Sequence, residues 1–305
     1  GRNGVGKTTT LNNMTRAILQ SDDPGKVGVF RTKLAGDAGA DPFTNLVSVS
    51  FSAFDPFDPS FVRKESSNEI QYTYIGLKDA ALPGGDAAPP KSLKVLAQEF
   101  STSVLACRAG ARAPRWRRAL EILESDPIFR DAQVATLGHG DRAGEDVESE
   151  AAALFGSLSS GHKIVLLTIT RVVETVDEKT LVLFDEPEAH LHPPLLSALV
   201  RALSDLLTNR NGVAIVATHS PVVLQEVPRK RVRAIRRSRA RVAAERPEVE
   251  TFGENVGTLT REIFGLEVTE SGFNKMLSDA VVKDVAFDPV IERFGGELGG
   301  AARAL

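Results

Sequence analysis

The run Thr180-Leu181-Val182-Leu183-Phe184-Asp185-Glu186-Pro187, written TLVLFDEP, decides the fold. Leu181 to Phe184 are apolar without alternation, the mark of a strand buried on both faces, as in a parallel sheet with helices on either side. The strand then ends on two carboxylates, which it delivers to the carboxyl edge of the sheet. The run GVAIVATHS (212–220) repeats the design, with Thr218, His219 and Ser220 at its end. Between the two runs, PPLLSALVRALSDLLT has helical apolar spacing and opens on prolines, which suit the first helical turn. Strand, helix, strand at this spacing predicts a mainly parallel α/β sheet flanked by helices.

Far upstream, Gly1-Arg2-Asn3-Gly4-Val5-Gly6-Lys7-Thr8 fits G-x-x-x-x-G-K-[ST] and runs into a helical pattern. In such a loop Gly1, Gly4 and Gly6 let backbone N–H groups wrap phosphates, and the helix start adds partial positive charge. Asn3 and Thr9 border the same cradle. Lys7 is expected to pair with β- and γ-phosphate oxygens, and the Thr8 hydroxyl to ligate Mg²⁺. Asp185 is the matching carboxylate for the Mg²⁺ shell. Glu186 is placed to orient and deprotonate an attacking water. His219, ending the neighbouring strand, is expected to reach the γ-phosphate. A P-loop NTPase follows, with ATP and Mg²⁺ as its ligands.

A third stretch, Leu158-Ser159-Ser160-Gly161-His162-Lys163 (LSSGHK), interrupts two apolar runs with small hydroxyl residues and a glycine. At a helix start these residues offer a second anion site, although a capped helix needs no more than this. The order GRNGVGKT, LSSGHK, LVLFDEP, ATHS resembles the ABC-type ATPases. In that family the signature motif of one subunit closes over ATP held by another. The resemblance implies an ATP-dependent homodimer in which Ser159, Ser160 and Gly161 face the γ-phosphate in trans. It also implies a helical insertion subdomain carrying the signature. The usual motif is LSGGQ; here Ser160 stands where glycine is common and His162 replaces glutamine. EPEAHLHP (186–193) is similar to the SMC, RecF and overcoming-lysogenisation-defect nuclease group. The long insertion and the segment 251–273 look similar to ATPase subunits of antiphage systems such as Septu. A glutamine usual after the second core strand is missing; Ser52 and Asp55 are its candidate replacements. His190 and His192 sit at i, i+2, but the sequence shows no third metal ligand, so interface or packing roles are expected.

The rest of the chain sets the frame. It has 305 residues, 42% hydrophobic and 25% charged, the composition of a globular protein. No run approaches the roughly 18 apolar residues of a membrane span, and no signal-peptide pattern is present. The single cysteine, Cys107, excludes an intramolecular disulfide, reads as a small buried helix residue, and fits a cytoplasmic location. Beginning on Gly1 with no strand ahead of the phosphate loop, the chain reads as an internal fragment. Four segments are expected: 1–82 and 151–228 forming the ATPase core, 83–150 the helical insertion, and 229–305 a basic hairpin and extension. Strand-like runs fall at 26–32, 46–51 and 70–77, and helical runs at 93–106 and 114–126.

Charge is unevenly distributed. Residues 229–246 hold nine bases and one acid, a local +8, which leaves −11 for the remainder of a chain of net charge −3. Runs 232–235 and 241–244 read as strands around a turn at 236–240. Such a hairpin is either a solvated basic face or a phosphate-backbone contact for DNA or RNA. A second basic cluster spans Arg108, Arg112, Arg115, Arg117 and Arg118, with Trp116 expected to be packed. No HNH pattern or further acid cluster marks a nuclease centre, so any cleavage would fall to an effector partner. The competing functions are the nucleotide-binding subunit of a membrane transporter, which the EPEAHLHP turn disfavours, and an ATP-gated scaffold with little turnover. A small-molecule kinase would need neither LSSGHK nor His219.

Overall fold

The computed structural model describes residues 6–30, 43–51, 70–79, 89–140, 144–238, 241–264, 272–281 and 287–303. Strands β1 (Asn45–Ser50), β2 (Gln71–Gly76), β3 (Thr180–Asp185) and β4 (Val213–Ala217) form one sheet in the order β2-β1-β3-β4. Every pairing in it is parallel. The α/β P-loop NTPase fold is therefore present, with helices flanking the sheet. β1 and β3 are buried along their whole length: β3 is an unbroken apolar run, whereas β1 (NLVSVS) carries Asn45, Ser48 and Ser50 into the interior, and β4 is only partly covered.

Helix α1 (Lys7–Ile18) packs one side of the sheet through Leu11, Ile18 and its C-cap residue Leu19, against Leu46, Leu181 and Leu183. The other side carries the larger core. It is built by α3 (Leu93–Cys107), α4 (Arg112–Leu123), α5 (Pro127–Asp131), α6 (Gly144–Ser157), α7 (Ser160–Thr175) and α8 (Pro193–Thr208). Phe100, Trp116, Phe129 and Phe155 fill this core together with Val165, Val182, Phe184 and Leu199. The inserted helices thus share one core with the sheet. Trp116 is fully buried, and its indole N–H donates to Thr170 Oγ1 at 3.1 Å, as a buried indole requires.

The sequence reading is amended in several places. A strand was expected over 26–32, but α2 (Pro24–Val27) occupies its start. Asp23 caps that turn by accepting from Gly25 N at 2.9 Å, and Pro24 pre-sets its first φ, so Asp-Pro begins a helix here. Helix α4 begins two residues before Pro114. In the basic cluster beside it, Arg108 donates to the carbonyls of Leu137, His139 and Gly140, and Arg115 donates to that of Val176. These two guanidiniums are structural and do not form a free basic face.

By contacts, the chain divides into two compact units, one of them Gly6–Val223 and the other including Leu224–Leu305. The latter holds an antiparallel hairpin, β5 (Ala234–Ser238) with β6 (Arg241–Glu245), over a small core of Leu224, Val232, Ala234, Leu259 and Ile263. The hairpin was read with a turn at 236–240. Pairing instead runs to Ser238↔Arg241, which leaves a two-residue connection and places Arg236 and Arg237 in the strand. Its base is pinned at Glu250, whose carboxylate accepts from the backbone N–H of Arg229, Thr251 and Phe252. The bonds from Arg229 and Phe252, with that from Thr251, hold the carboxyl below its ordinary range.

Candidate functional site

The register brings Ser50, Asp185 and Ala217 into line at the carboxyl edge of the sheet, where open α/β sheets collect their ligands. The first helix starts at the same edge. Gly6 caps it with φ 90°, a left-handed conformation that glycine adopts without strain. The calls on Gly1, Asn3 and Gly4 fall outside the described residues, as do Ser52 and Asp55.

Lys7, Thr8, Asp185, Glu186 and His219, though up to 212 positions apart, meet in one constellation. The Thr8 hydroxyl donates to Asp185 Oδ2 at 2.7 Å. A hydroxyl and a carboxylate side by side are hard oxygen donors of the kind Mg²⁺ takes, so this pair fits the cation expected there. Lys7 Nζ lies 3.1 Å from His219 Nδ1. An ammonium can only donate, so Nδ1 accepts, and the neutral ring carries its hydrogen on Nε2. That nitrogen lies 3.2 Å from Glu186 Oε1. Thr9 is exposed on the helix's first turn.

Glu186 stands at φ 46°, a left-handed conformation that costs a non-glycine residue about 1–3 kcal/mol. Its N–H donates to Ala217 O at 2.8 Å, which extends the β3–β4 ladder by one bond. The kink turns the carboxylate out of the strand toward His219. Glu188, to which the sequence reading gave no role, fixes the other side of this site. Its Oε1 accepts from His219 N at 2.6 Å and its Oε2 from Thr218 Oγ1 at 2.8 Å. The repeated acid in Glu-Pro-Glu was the available signal: two residues on, across a turn, the second carboxylate reaches the next strand's end.

LSSGHK begins helix α7. Ser159 is its N-cap, and Ser159 and Ser160 are exposed. Gly161 is buried against the turn that follows β3; a Cβ there would sit 2.8 Å from the carbonyl oxygen of His190. His162 points inward and is 2% exposed. Its Nδ1 lies 2.7 Å from Ser159 Oγ, and its Nε2 lies 3.1 Å from Asp126 Oδ1. Asp126 also accepts from the N–H groups of Ile128 and Phe129, which caps α5. His192 Nε2 faces the other oxygen of Asp126 at 3.7 Å.

The third ligand that the sequence did not show is therefore in place for His192, though not for His190: one ligand atom each from Asp126, His162 and His192 lies within 4.8 Å of the others. Hydrogen bonding argues against a metal there. Leu195 N–H donates to His192 Nδ1 at 3.2 Å, so the Nε2 facing Asp126 carries the hydrogen. The three side chains form a network of imidazole donors around one carboxylate. The pairing of Asp126 with His162 was missed because they are 36 positions apart and nothing local marks either as polar core.

Residues 130–225 match the family model described as "AAA domain, putative AbiEii toxin, Type IV TA system". This stretch is similar to an AAA-type ATPase domain. It takes in the signature, the β3 carboxylates and His219. The whole chain is also 43% identical, over 322 residues, to protein ea59 of Escherichia phage lambda. It spans 60% of that protein's length. No described helix is long and apolar enough to cross a membrane.

Proposed function

We propose that this chain binds and hydrolyses ATP with Mg²⁺, and that two copies close over the nucleotide. The observation that carries the reading is the pairing of Thr8 with Asp185 beside Lys7, His219 and Glu186, all at the sheet edge. Lys7 supplies positive charge to the β- and γ-phosphates, while Thr8 and Asp185 hold the cation that offsets the remaining phosphate charge. Glu186 accepts the proton of the water whose oxygen attacks the γ-phosphorus as the bond to the leaving ADP oxygen breaks. His219 holds the γ-phosphate and orients Glu186 through Nε2. Exposed Ser159 and Ser160, with the α7 N-terminus, face the γ-phosphate of the second copy.

In this reading residues 1–82 and 151–228 are the ATPase core, 83–150 the inserted helices, and 229–305 the extension. The exposed basic hairpin contacts nucleic acid through phosphates, and the assembly serves a DNA or RNA transaction or antiphage defence, with any cleavage left to an effector nuclease.

Glu186→Gln tests the chemistry. It should keep ATP binding, lose most hydrolysis and accumulate an ATP-bound dimer; unchanged turnover would place the base elsewhere. Mixing two inactive variants tests the trans contact. Lys7→Ala loses a charge-assisted contact worth about 1.5–3 kcal/mol, while Ser160→Arg blocks closure only. The mixture should regain partial activity through the one composite site in which both elements are intact. Loss of ATP affinity in the Ser160→Arg monomer would rule out the trans role.

A further inference from the structure

The chain Asp126–His162–Ser159 controls where the Ser159 hydroxyl hydrogen can go. A carboxylate only accepts, so His162 Nε2, 3.1 Å from Asp126 Oδ1, carries a hydrogen whether the ring is neutral or charged. Only Nδ1 can change. In the neutral ring Nδ1 has a lone pair and takes the Ser159 hydroxyl hydrogen across 2.7 Å. Ser159 Oγ also accepts from the His162 backbone N–H as the helix cap, so what it then turns outward is a remaining lone pair, which repels a phosphate oxygen. In the imidazolium, Nδ1–H donates into Ser159 Oγ, and the hydroxyl hydrogen is free to point outward.

Few groups surround the ring. The titratable groups facing His162 among the described residues are Asp126, at the start of α5, and His192, in the turn before α8. Asp126 is 1% exposed at its side chain, so the two groups meet out of contact with solvent. His192 is half-exposed, its ring 5.6 Å from that of His162 and its Nε2 hydrogen directed to Asp126. The edge of Phe129 closes the remaining side at 4.9 Å.

We propose that Asp126 and His162 are positioning residues for the signature helix. In this arrangement a γ-phosphate oxygen gains the Ser159 hydrogen only when His162 takes up a proton from solvent. Closure on ATP is thereby coupled to one proton at each composite site and is favoured by acid. The inference rests on the reading that Ser159 meets the nucleotide of a second copy. A glutamine at this position needs no such proton, since its amide N–H₂ donates at every pH.

The test measures ATP-dependent dimerisation of the full chain by analytical ultracentrifugation from pH 6 to 8.5 with Mg²⁺-ATP, using Glu186→Gln as the common background. On the alkaline side the dimerisation constant should fall up to a hundredfold per pH unit, one proton for each of two sites. His162→Gln should dimerise with that dependence removed. Asp126→Asn keeps the α5 cap, because Asn serves equally well there, and should alter the pH dependence while leaving ATP-driven dimers in place. Equal pH dependence with and without His162→Gln overturns the inference while leaving the trans reading standing. Absence of ATP-driven dimers in every variant overturns both. Stoichiometric divalent metal that is lost in His162→Gln also overturns it, since Nε2 would then ligate metal instead of donating to Asp126.

Discussion

Truncating Glu188 to Ala removes the clamp on the His219 strand end. The carboxylate accepts one bond from the His219 N–H at 2.6 Å and one from the Thr218 hydroxyl at 2.8 Å. Hydrogen bonds to a charged group contribute about 1.5–3 kcal/mol each. The side chain is 17% exposed, so water replaces part of what is lost, and the expected net cost is about 2–4 kcal/mol. Urea unfolding should show that as a lower midpoint with an unchanged slope. ATP turnover should fall more than tenfold while nucleotide binding persists, because Lys7 and Thr8 stay in place and only His219 is released. Glu188→Gln keeps one acceptor for His219 N and offers its amide to Thr218 Oγ1, so it should cost less than about 1.5 kcal/mol. Loss of less than about 0.5 kcal/mol in Glu188→Ala, with turnover intact, would refute the reasoning, since that is the scale of an ordinary surface change.

Three further outcomes are expected. Replacing exposed Arg231, Arg233 and Arg236 with Gln should weaken DNA or RNA binding about equally for all sequences and flatten its salt dependence, as filter binding at several salt concentrations would show; no binding by the parent protein at low salt would leave the hairpin a solvated face. Gly161→Ala should cost about 1–3 kcal/mol in chemical unfolding, because the added methyl meets the His190 carbonyl oxygen at 2.8 Å and backbone must move; wild-type stability would show that the turn after β3 yields freely. Burial, with Glu174 second, pushes the Cys107 thiol up to about 12 from 9.0. Below pH 9 this costs the fold nothing; between about 9 and 12 the unfolded chain ionises while the folded one does not, so stability falls as pH rises through that window. Cys107→Ala should lack that component of the alkaline loss, and native protein should resist thiol alkylation at pH 8; ready labelling of folded protein would contradict the burial.

Residue order by itself determined the sheet. Unbroken apolar runs at 181–184 and 213–217 show no alternation and so read as parallel strands, although burial is complete only in the first and partial in the second. Chain direction then puts Asp185, Glu186 and His219 at one edge, and the phosphate-loop pattern adds Lys7 and Thr8 there. Local chemistry was less decisive wherever one signal served two ends. Asp22-Asp23-Pro24-Gly25 reads equally as a helix stop or a helix start, and only the Asp23 cap in the structure selects the start. The hairpin register was likewise open, because adjacent Arg236 and Arg237 break the alternation that would have fixed it.

Tertiary structure alone decided the polar contacts. Asp126 reaches His162 from the inserted helices, and Glu188 reaches back to the end of β4. In both cases the buried or half-buried carboxylate is tolerated because folding supplies several N–H or O–H donors from distant positions at once, and no local pattern announces them. His162 shows the division most plainly. From sequence it is a departure from a glutamine; in the fold it is a titratable ring held between a buried acid and the serine at the helix start, because only the closed core brings those three groups within hydrogen-bonding distance.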